Sequence, residues 1–226
     1  WAKFHIQLFP FLDGLSREAE ETGLPIMRGL FLEAPKDPAT WTISDEYVLG
    51  RSLLVAPILD QGATQRAVHV PTGAWVALDG SASVTGPADF MATAAIGEVP
   101  LWLKRGAVIP RLPERVDTLV PADAPTVDLD DVRNERVLLW APGGTESFVE
   151  RDGTTYVSTP GSESAFTEVG VALPDCASAT QRGCVSRGTG RVVVRLSGSG
   201  PLAGAQGVLT ITGPGRTIDV EVVTAP

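Results

Sequence analysis

Residues 23–33 read Gly-Leu-Pro-Ile-Met-Arg-Gly-Leu-Phe-Leu-Glu, a nearly continuous apolar run bracketed by Gly23 before it and by Pro35 and Pro38 after it. Such a run predicts a strand buried on both faces. Strands of that kind belong to parallel sheets whose crossover helices hide both faces from water, which removes the reason to alternate polar with apolar residues. Working backwards, Phe4, Leu8, Phe11, Leu15 and Ala19 recur at three- and four-residue steps and stack along one face of a helix over Trp1–Thr22. Pro10 cannot donate to the carbonyl of Ile6 and should kink that helix. Gly23 supplies the residue that can take positive φ at its end. A helix feeding directly into a doubly buried strand is half of a βαβ unit.

Working forwards, the texture changes. Residues 34–43 form a loop, and Ser44-Asp45-Glu46-Tyr47 reads as the capped first turn of a short helix closed by Gly50. From Leu53 onward come short apolar segments about ten residues apart, divided by Gly and Pro: 53–59, 66–70, 74–78, and a hairpin-like pair around Arg105-Gly106 within 100–110. Residues 113–127, carrying Pro113, Pro121 and Pro125, read as a connector. Beyond it, strands are expected at 136–140, 146–149, 154–157, 191–196, 207–212 and 217–222. Several alternate polar with apolar, the mark of antiparallel sheets with one wet face. The fold class is therefore mainly β: a terminal βα piece of a barrel, then two antiparallel β-sandwich domains.

Bulk properties exclude several classes. The 226 residues suffice for one large domain or two ordinary ones, and 43% hydrophobic with 20% charged residues is ordinary globular composition. No apolar run approaches the ~20 residues of a membrane helix. At a net charge of −9, with no basic cluster denser than Lys104-Arg105, the chain repels phosphate backbones, so neither nucleic acid nor membrane is an expected partner. The first residues, Trp1 to His5, lack an initiator Met and a signal-peptide pattern and read as the middle of a longer element. Cys176 and Cys184 lie eight positions apart in a turn-rich stretch, and a disulfide between them is expected. That points to an extracellular or periplasmic protein, the cytoplasm remaining the alternative if the two thiols are free.

Chemistry-bearing motifs are sparse. There is no GxSxG, Walker loop, HExxH, paired CxxC or strand-following GxGxxG, and no metal site or cofactor is implied. Glu33 is the acid best placed for glycoside chemistry, at the carboxyl end of the first strand, where barrel enzymes keep their sites; such strand ends also carry many structural acids. Arg28, inside the buried run, must be paired, and a salt bridge with a barrel acid, whether inside this chain or beyond it, is expected. Asp128, Asp130 and Asp131 lack the calcium-loop spacing and read as a solvated turn. His5 and His69 have no nucleophile setting and read as packing or surface residues. Trp41, Trp75, Trp102 and Trp140 could stack on sugar rings, but their places in or beside strands favour packing.

The stretches HIQLFPFLDGLSREAEETGLPIMRGLFLEAPKDPATW (5–41), SDEYVLGRSLLVAPIL (44–59), GATQRAVHVPTGAW (62–75) and VPLWLKRGAVIP (99–110) resemble the C-terminal part of family 31 glycoside hydrolases, the α-glucosidase and α-xylosidase family. The likeness is dense over residues 1–112 and thinner beyond, where Ser147 to Tyr156 is similar to a family stretch with Arg151 replacing an acid. The resemblance implies a (β/α)8 barrel with a retaining mechanism, one aspartate as nucleophile and another as acid/base, followed by proximal and distal β-sandwiches. Residues 1–48 would be the last barrel helix and eighth strand, 49–112 the proximal domain and 113–226 the distal one. The family's catalytic motifs have no counterpart in these residues, so no catalytic residue carries over. The expected partners are an α-linked oligosaccharide or glycoside, met through the barrel, and the upstream part of the same enzyme. Two segments depart from the pattern: Val76-Ala77-Leu78-Asp79-Gly80 after Trp75, and the Cys176–Cys184 stretch. The alternative is a non-catalytic carbohydrate-binding or assembly module.

Overall fold

The computed structural model describes residues 1–116 and 135–160, together with strands inside 185–222. Two helices open the chain, Ala2–Gln7 (α1) and Phe9–Thr22 (α2), separated at Leu8. Pro10 accounts for the break: it has no N–H to continue the ladder from α1, yet it is tolerated in the first turn of α2, where donors are unpaired anyway. Gly23 closes α2 at φ 76°, and its N–H donates to Ala19 O at 2.9 Å. The apolar stripe of the helices is buried through Leu8, Phe11 and Leu15, each contributing about 1.5–3 kcal/mol on removal from water.

The strand expected across 23–33 is cut short. Only Met27–Gly29 (β1) is extended; it pairs antiparallel with Tyr47–Leu49 (β2), and Leu30–Glu33 coil into a helical turn (α3). Backbone amides must find partners, and past Gly29 the run finds them internally, Ala34 N–H reaching Leu30 O at 2.9 Å. Residues 44–47 are likewise not a helix start. Tyr47 enters β2, and the Glu46 carboxylate that would have served a capped first turn is engaged elsewhere.

The first sheet is wholly antiparallel and ordered β1-β2-β3-β6-β4-β5, with Leu53–Val55 (β3), Gln65–Ala77 (β4), Ser83–Thr93 (β5) and Leu101–Lys104 (β6). Its two faces feed two cores. Leu53, Val55, Val76 and Leu103 point towards Leu8, Phe11 and Leu15, while Leu54, Trp75, Ala77 and Trp102 point the other way, towards Leu30, Val48 and Val70. β4 and β5 form a long two-stranded arm. Strand β5 has no counterpart in the sequence expectations, because Gly86-Pro87 looks like a turn. At a sheet edge, however, proline costs no ladder bond.

The hairpin expected around Arg105-Gly106 does not form. β6 stays in the first sheet, and Val108–Arg111 (β7) crosses into another, pairing with Glu135–Trp140 (β8). Two four-stranded sheets follow, β12-β13-β10-β9 and β11-β14-β8-β7, built with Glu146–Val149 (β9), Thr155–Pro160 (β10), Val185–Arg187 (β11), Gly190–Arg195 (β12), Gln206–Thr212 (β13) and Thr217–Val222 (β14). They face each other as a sandwich. Val108, Leu138 and Trp140 of one pack on Tyr156, Leu209 and Ile211 of the other, and Trp140 Nε1 donates across to Ser158 Oγ at 2.9 Å. The pairing is antiparallel except between β14 and β8, which run parallel. Cys176, Cys184 and the acids at 128, 130 and 131 lie outside the described residues. Among the described residues no helix is long and apolar enough to cross a membrane.

Buried charge also ties the sandwich together. Arg136 of β8 donates from Nε and Nη2 to the Glu150 carboxylate at 2.9–3.1 Å, and Tyr156 OH donates to the same carboxylate. At the next position Arg151 reaches helix α2, with Nε 2.8 Å from Asp13 Oδ1 and Nη2 2.9 Å from Glu20 Oε1. An acid there would face two carboxylates, so this departure from the family pattern suits the helix it meets.

Removing the shared acceptor strands a buried guanidinium, so Glu150→Ala should destabilise the fold by about 3–5 kcal/mol in denaturant titrations. A second expectation concerns the bulge in β4. Val70 faces Ala88 and Gly73 faces Gly86, so β4 carries the extra residue, and a Cβ on Gly86 would lie 2.2 Å from Pro71 O. Gly86→Ala should therefore cost about 2 kcal/mol or more, read as a lowered urea midpoint at unchanged slope.

Candidate functional site

The segment from Pro25 to Glu46 contributes to two clusters of buried polar groups. Arg28 is fully buried and is paired, as a charge there must be, with acids that lie within this chain. Nε donates to Pro25 O at 2.9 Å and Nη1 to Glu33 Oε1 at 2.6 Å. Nη2 lies 2.8 Å from Glu18 Oε2, an ion-pair contact without hydrogen-bond alignment. Burial works against the cation, but the Glu33 and Glu18 carboxylates outweigh it and raise its pKa above the ordinary value. Glu33 thus sits in a helical turn with Oε1 committed to Arg28. It lines neither of two surface hollows, a groove of about 540 Å3 beside Phe90, Leu101 and Trp102 and a smaller one of about 270 Å3 beside Glu18 and Arg51.

Next to this network the chain turns through Pro38–Trp41, one turn of 3-10 helix capped by Asp37, whose Oδ1 accepts from Ala39 N–H at 3.1 Å. Thr40 is buried beneath it, its hydroxyl donating to Asp37 O at 2.7 Å. The turn holds Trp41 at the surface, 61% exposed and stacked on Phe31 with ring centroids 5.6 Å apart. Trp75, Trp102 and Trp140 are buried, as their strand positions imply.

His69 is a sharper feature than the sequence reading allowed. It is buried, with Nε2 2.8 Å from Asp37 Oδ2 and Nδ1 2.7 Å from Asp89 Oδ1, while its backbone N–H donates to both oxygens of buried Glu46 at 3.2 Å. Arg66 Nη2 contacts Glu46 Oε1 and Asp45 Oδ2, both at 2.9 Å. Burial depresses the imidazole's proton affinity, but hydrogen bonds to Asp89 and Asp37 more than reverse it, so the His69 pKa is raised from 6.5. Burial pushes the Glu46 carboxyl up to about 6, against the opposing pull of the His69 amide and Arg66. The signal available in sequence was the place of His69 between Val68 and Val70 of a buried strand. Its partners were invisible because Asp89 lies on β5, itself unread, and Asp37 comes from a loop. His5 is exposed on α1. Among the described residues no three His, Cys, Asp or Glu side chains are arranged to hold a metal ion.

The family model described as the glycosyl hydrolase family 31 C-terminal domain matches residues 23–109, which hold the His69 cluster and, apart from Glu18, the Arg28 network. The chain belongs to glycosyl hydrolase family 31. It is 30% identical to alpha-glucosidase 2 of Bacillus thermoamyloliquefaciens over 69% of this chain and 19% of that protein. It is 33% identical to an isomaltosyltransferase of Sporosarcina globispora over 46% of this chain and 10% of that one. The family 31 dextranase of Flavobacterium johnsoniae, solved with glucose, superposes with a TM-score of 0.58 at 27% identity, over 71% of this chain and 20% of the dextranase. The chain thus spans about a tenth to a fifth of the length of these relatives. The mainly β architecture with antiparallel sheets is that of the family's C-terminal domains.

The two raised carboxyl and imidazole values have one sign. A group whose pKa is higher in the fold stabilises at low pH and loses that contribution as pH rises through its folded value. For Glu46 the window runs from 4.5 to about 6, and for His69 it begins at 6.5. Glu46→Gln should therefore gain on the wild type in unfolding free energy as pH rises from 4.5 to about 6, by about 2 kcal/mol across that window, with a flat difference above it.

Proposed function

We propose that this chain serves as the C-terminal portion of a retaining family 31 α-glycosidase, supplying barrel closure and a β-sandwich scaffold rather than the reacting groups. In this reading residues 1–48 are the last helix and eighth strand of a (β/α)8 barrel, about 49–112 the proximal sandwich and about 113–226 the distal one. The observation that carries it is an apolar surface on the first unit: Phe9, Met27, Phe31, Leu32 and Trp41 are exposed while the other side of α2 is docked on the first sheet and Phe148. Several large apolar side chains left in water on one unit mark a surface built to be covered, and the rest of a barrel of ~250 residues is a partner of the right kind. The partners are then the upstream part of the enzyme and, through it, an α-linked glycoside. A disulfide between Cys176 and Cys184 and an exported location belong to the same proposal.

Arg28 and Glu33 act as neighbours of the site in this reading. They form a charged strut, with Glu18 as the second acid, that ties helix α2 to β1 and to the turn after it. The chemistry belongs to an aspartate pair outside these residues, so the 226-residue chain should not turn over an aryl α-glucoside. Measurable turnover by the purified chain would overturn the proposal. The exposed Phe31–Trp41 stack also favours a second reading, a carbohydrate-binding module, because a flat aromatic face is what sugar rings stack on. Titrating maltooligosaccharides and xylo-oligosaccharides while following tryptophan fluorescence separates the two. No saturable change is expected for the scaffold, whereas saturation abolished by Trp41→Ala would establish the module.

A further inference from the structure

Both ring nitrogens of His69 meet carboxylate oxygens. Nε2 faces Asp37, which caps the Pro38–Trp41 turn, and Nδ1 faces Asp89 on β5. Carboxylates only accept, so both contacts can be hydrogen bonds only if both nitrogens carry protons, and a neutral imidazole has a single N–H to offer. We infer that His69 is a proton-dependent clasp: as imidazolium it pins the Asp37 turn, and with it Trp41, to the β4–β5 arm, and on losing its proton it releases one arm and weakens the other. This goes beyond the scaffold reading and does not rest on it.

The surrounding charges decide how the release proceeds. Asp37 faces the ring from the 3-10 turn, Asp89 from β5, and Glu46 with Asp45 from the segment ahead of β2, where Arg66 of β4 sits on both acids. With His69 neutral, Arg66 is the remaining cation among these groups, and it is committed to Glu46 and Asp45. Asp89 has a side chain 82% exposed and can turn into water, whereas Asp37 is nearly buried and cannot. The single N–H therefore stays on Nε2. The Asp37 bond survives but loses its charge assistance, and charge-assisted bonds are roughly twice as strong as neutral ones. The raised imidazole value places the transition above pH 6.5.

The turn supplies its own reporters. Ala39 N–H donates to Asp37 Oδ1 and Thr40 N–H to Asp37 O, so both amides open more often once the Asp37 anchor loses its charge assistance. The full chain carrying His5→Gln leaves His69 as its one histidine, whose ring titration is followed by NMR alongside hydrogen exchange corrected for intrinsic base catalysis. The ring is expected to titrate above 6.5. Across that same interval exchange at Ala39 and Thr40 is expected to rise about threefold to tenfold, with no change at Tyr156 in the distal sandwich. A ring midpoint at or below 6.5, or exchange at 39–40 that does not follow the ring, overturns the clasp. Asp37→Asn is expected to uncouple the two, and a turn that still follows the ring in that variant also overturns it. The comparison in the chain with Asp37 intact holds whether or not the asparagine variant folds.

Discussion

Strand β3, Leu53-Leu54-Val55, is the constraint on which the rest of the structure depends. It lies inside the first sheet between β2 and β6, and its side chains enter two different cores. Leu53 and Val55 meet the opening helices and the crossing strand β7, while Leu54 meets the core closed by the β4–β5 arm. Two-sided burial of an antiparallel sheet is unusual enough to need cover on each face, and the chain provides it from before and after β3: helices from residues 2–22 and strands from 65–93. The sandwich beyond is attached to the same core through Ile109, Leu139 and Ala141, so the sheets share packing instead of hanging from a linker.

Charge burial follows the same logic of mutual commitment. Arg28, Arg136 and Arg66 each lie largely out of water, and each binds a carboxylate carried by another segment of the chain. A lone buried charge would be prohibitive, so these residues fix which segments must meet. Glu18 on α2 and Glu33 after β1 meet at Arg28. Glu150 brings β8 to the β9–β10 turn. Glu46 brings the approach to β2 against β4, leaving His69 beside it with two further acids.

The doubly buried strand signal was real but lay in a different place from the one the sequence indicated. Residues 23–33 are continuous in apolar character, yet only 27–29 finds a strand partner, and Met27, Phe31 and Leu32 remain exposed. The three residues 53–55 carry the two-faced burial. A run of large apolar residues states that a segment wants cover; it does not state which neighbour will give it. The candidate site divides in the same way. Arg28 was legible as a charge needing a partner, because a cation inside an apolar run has few alternatives. The His69 cluster was not, since its acids come from a loop and from an edge strand that the sequence reading did not place.

What the sequence determined by itself was a set of local elements and the family: helix period over 4–19, stop at Gly23, short strands at 136–140, 146–149 and 217–222, and the stretches shared with family 31. These are local properties, set by periodicity, turn residues and caps within a few positions of one another. The tertiary structure alone decided the pairings. It sent 101–104 and 108–111 to separate sheets, ran β14 parallel to β8, and placed Asp37 and Asp89 on opposite nitrogens of His69. Pairing across long sequence separations depends on which faces can be covered together, and that is a property of the assembled core, which no window of the chain contains.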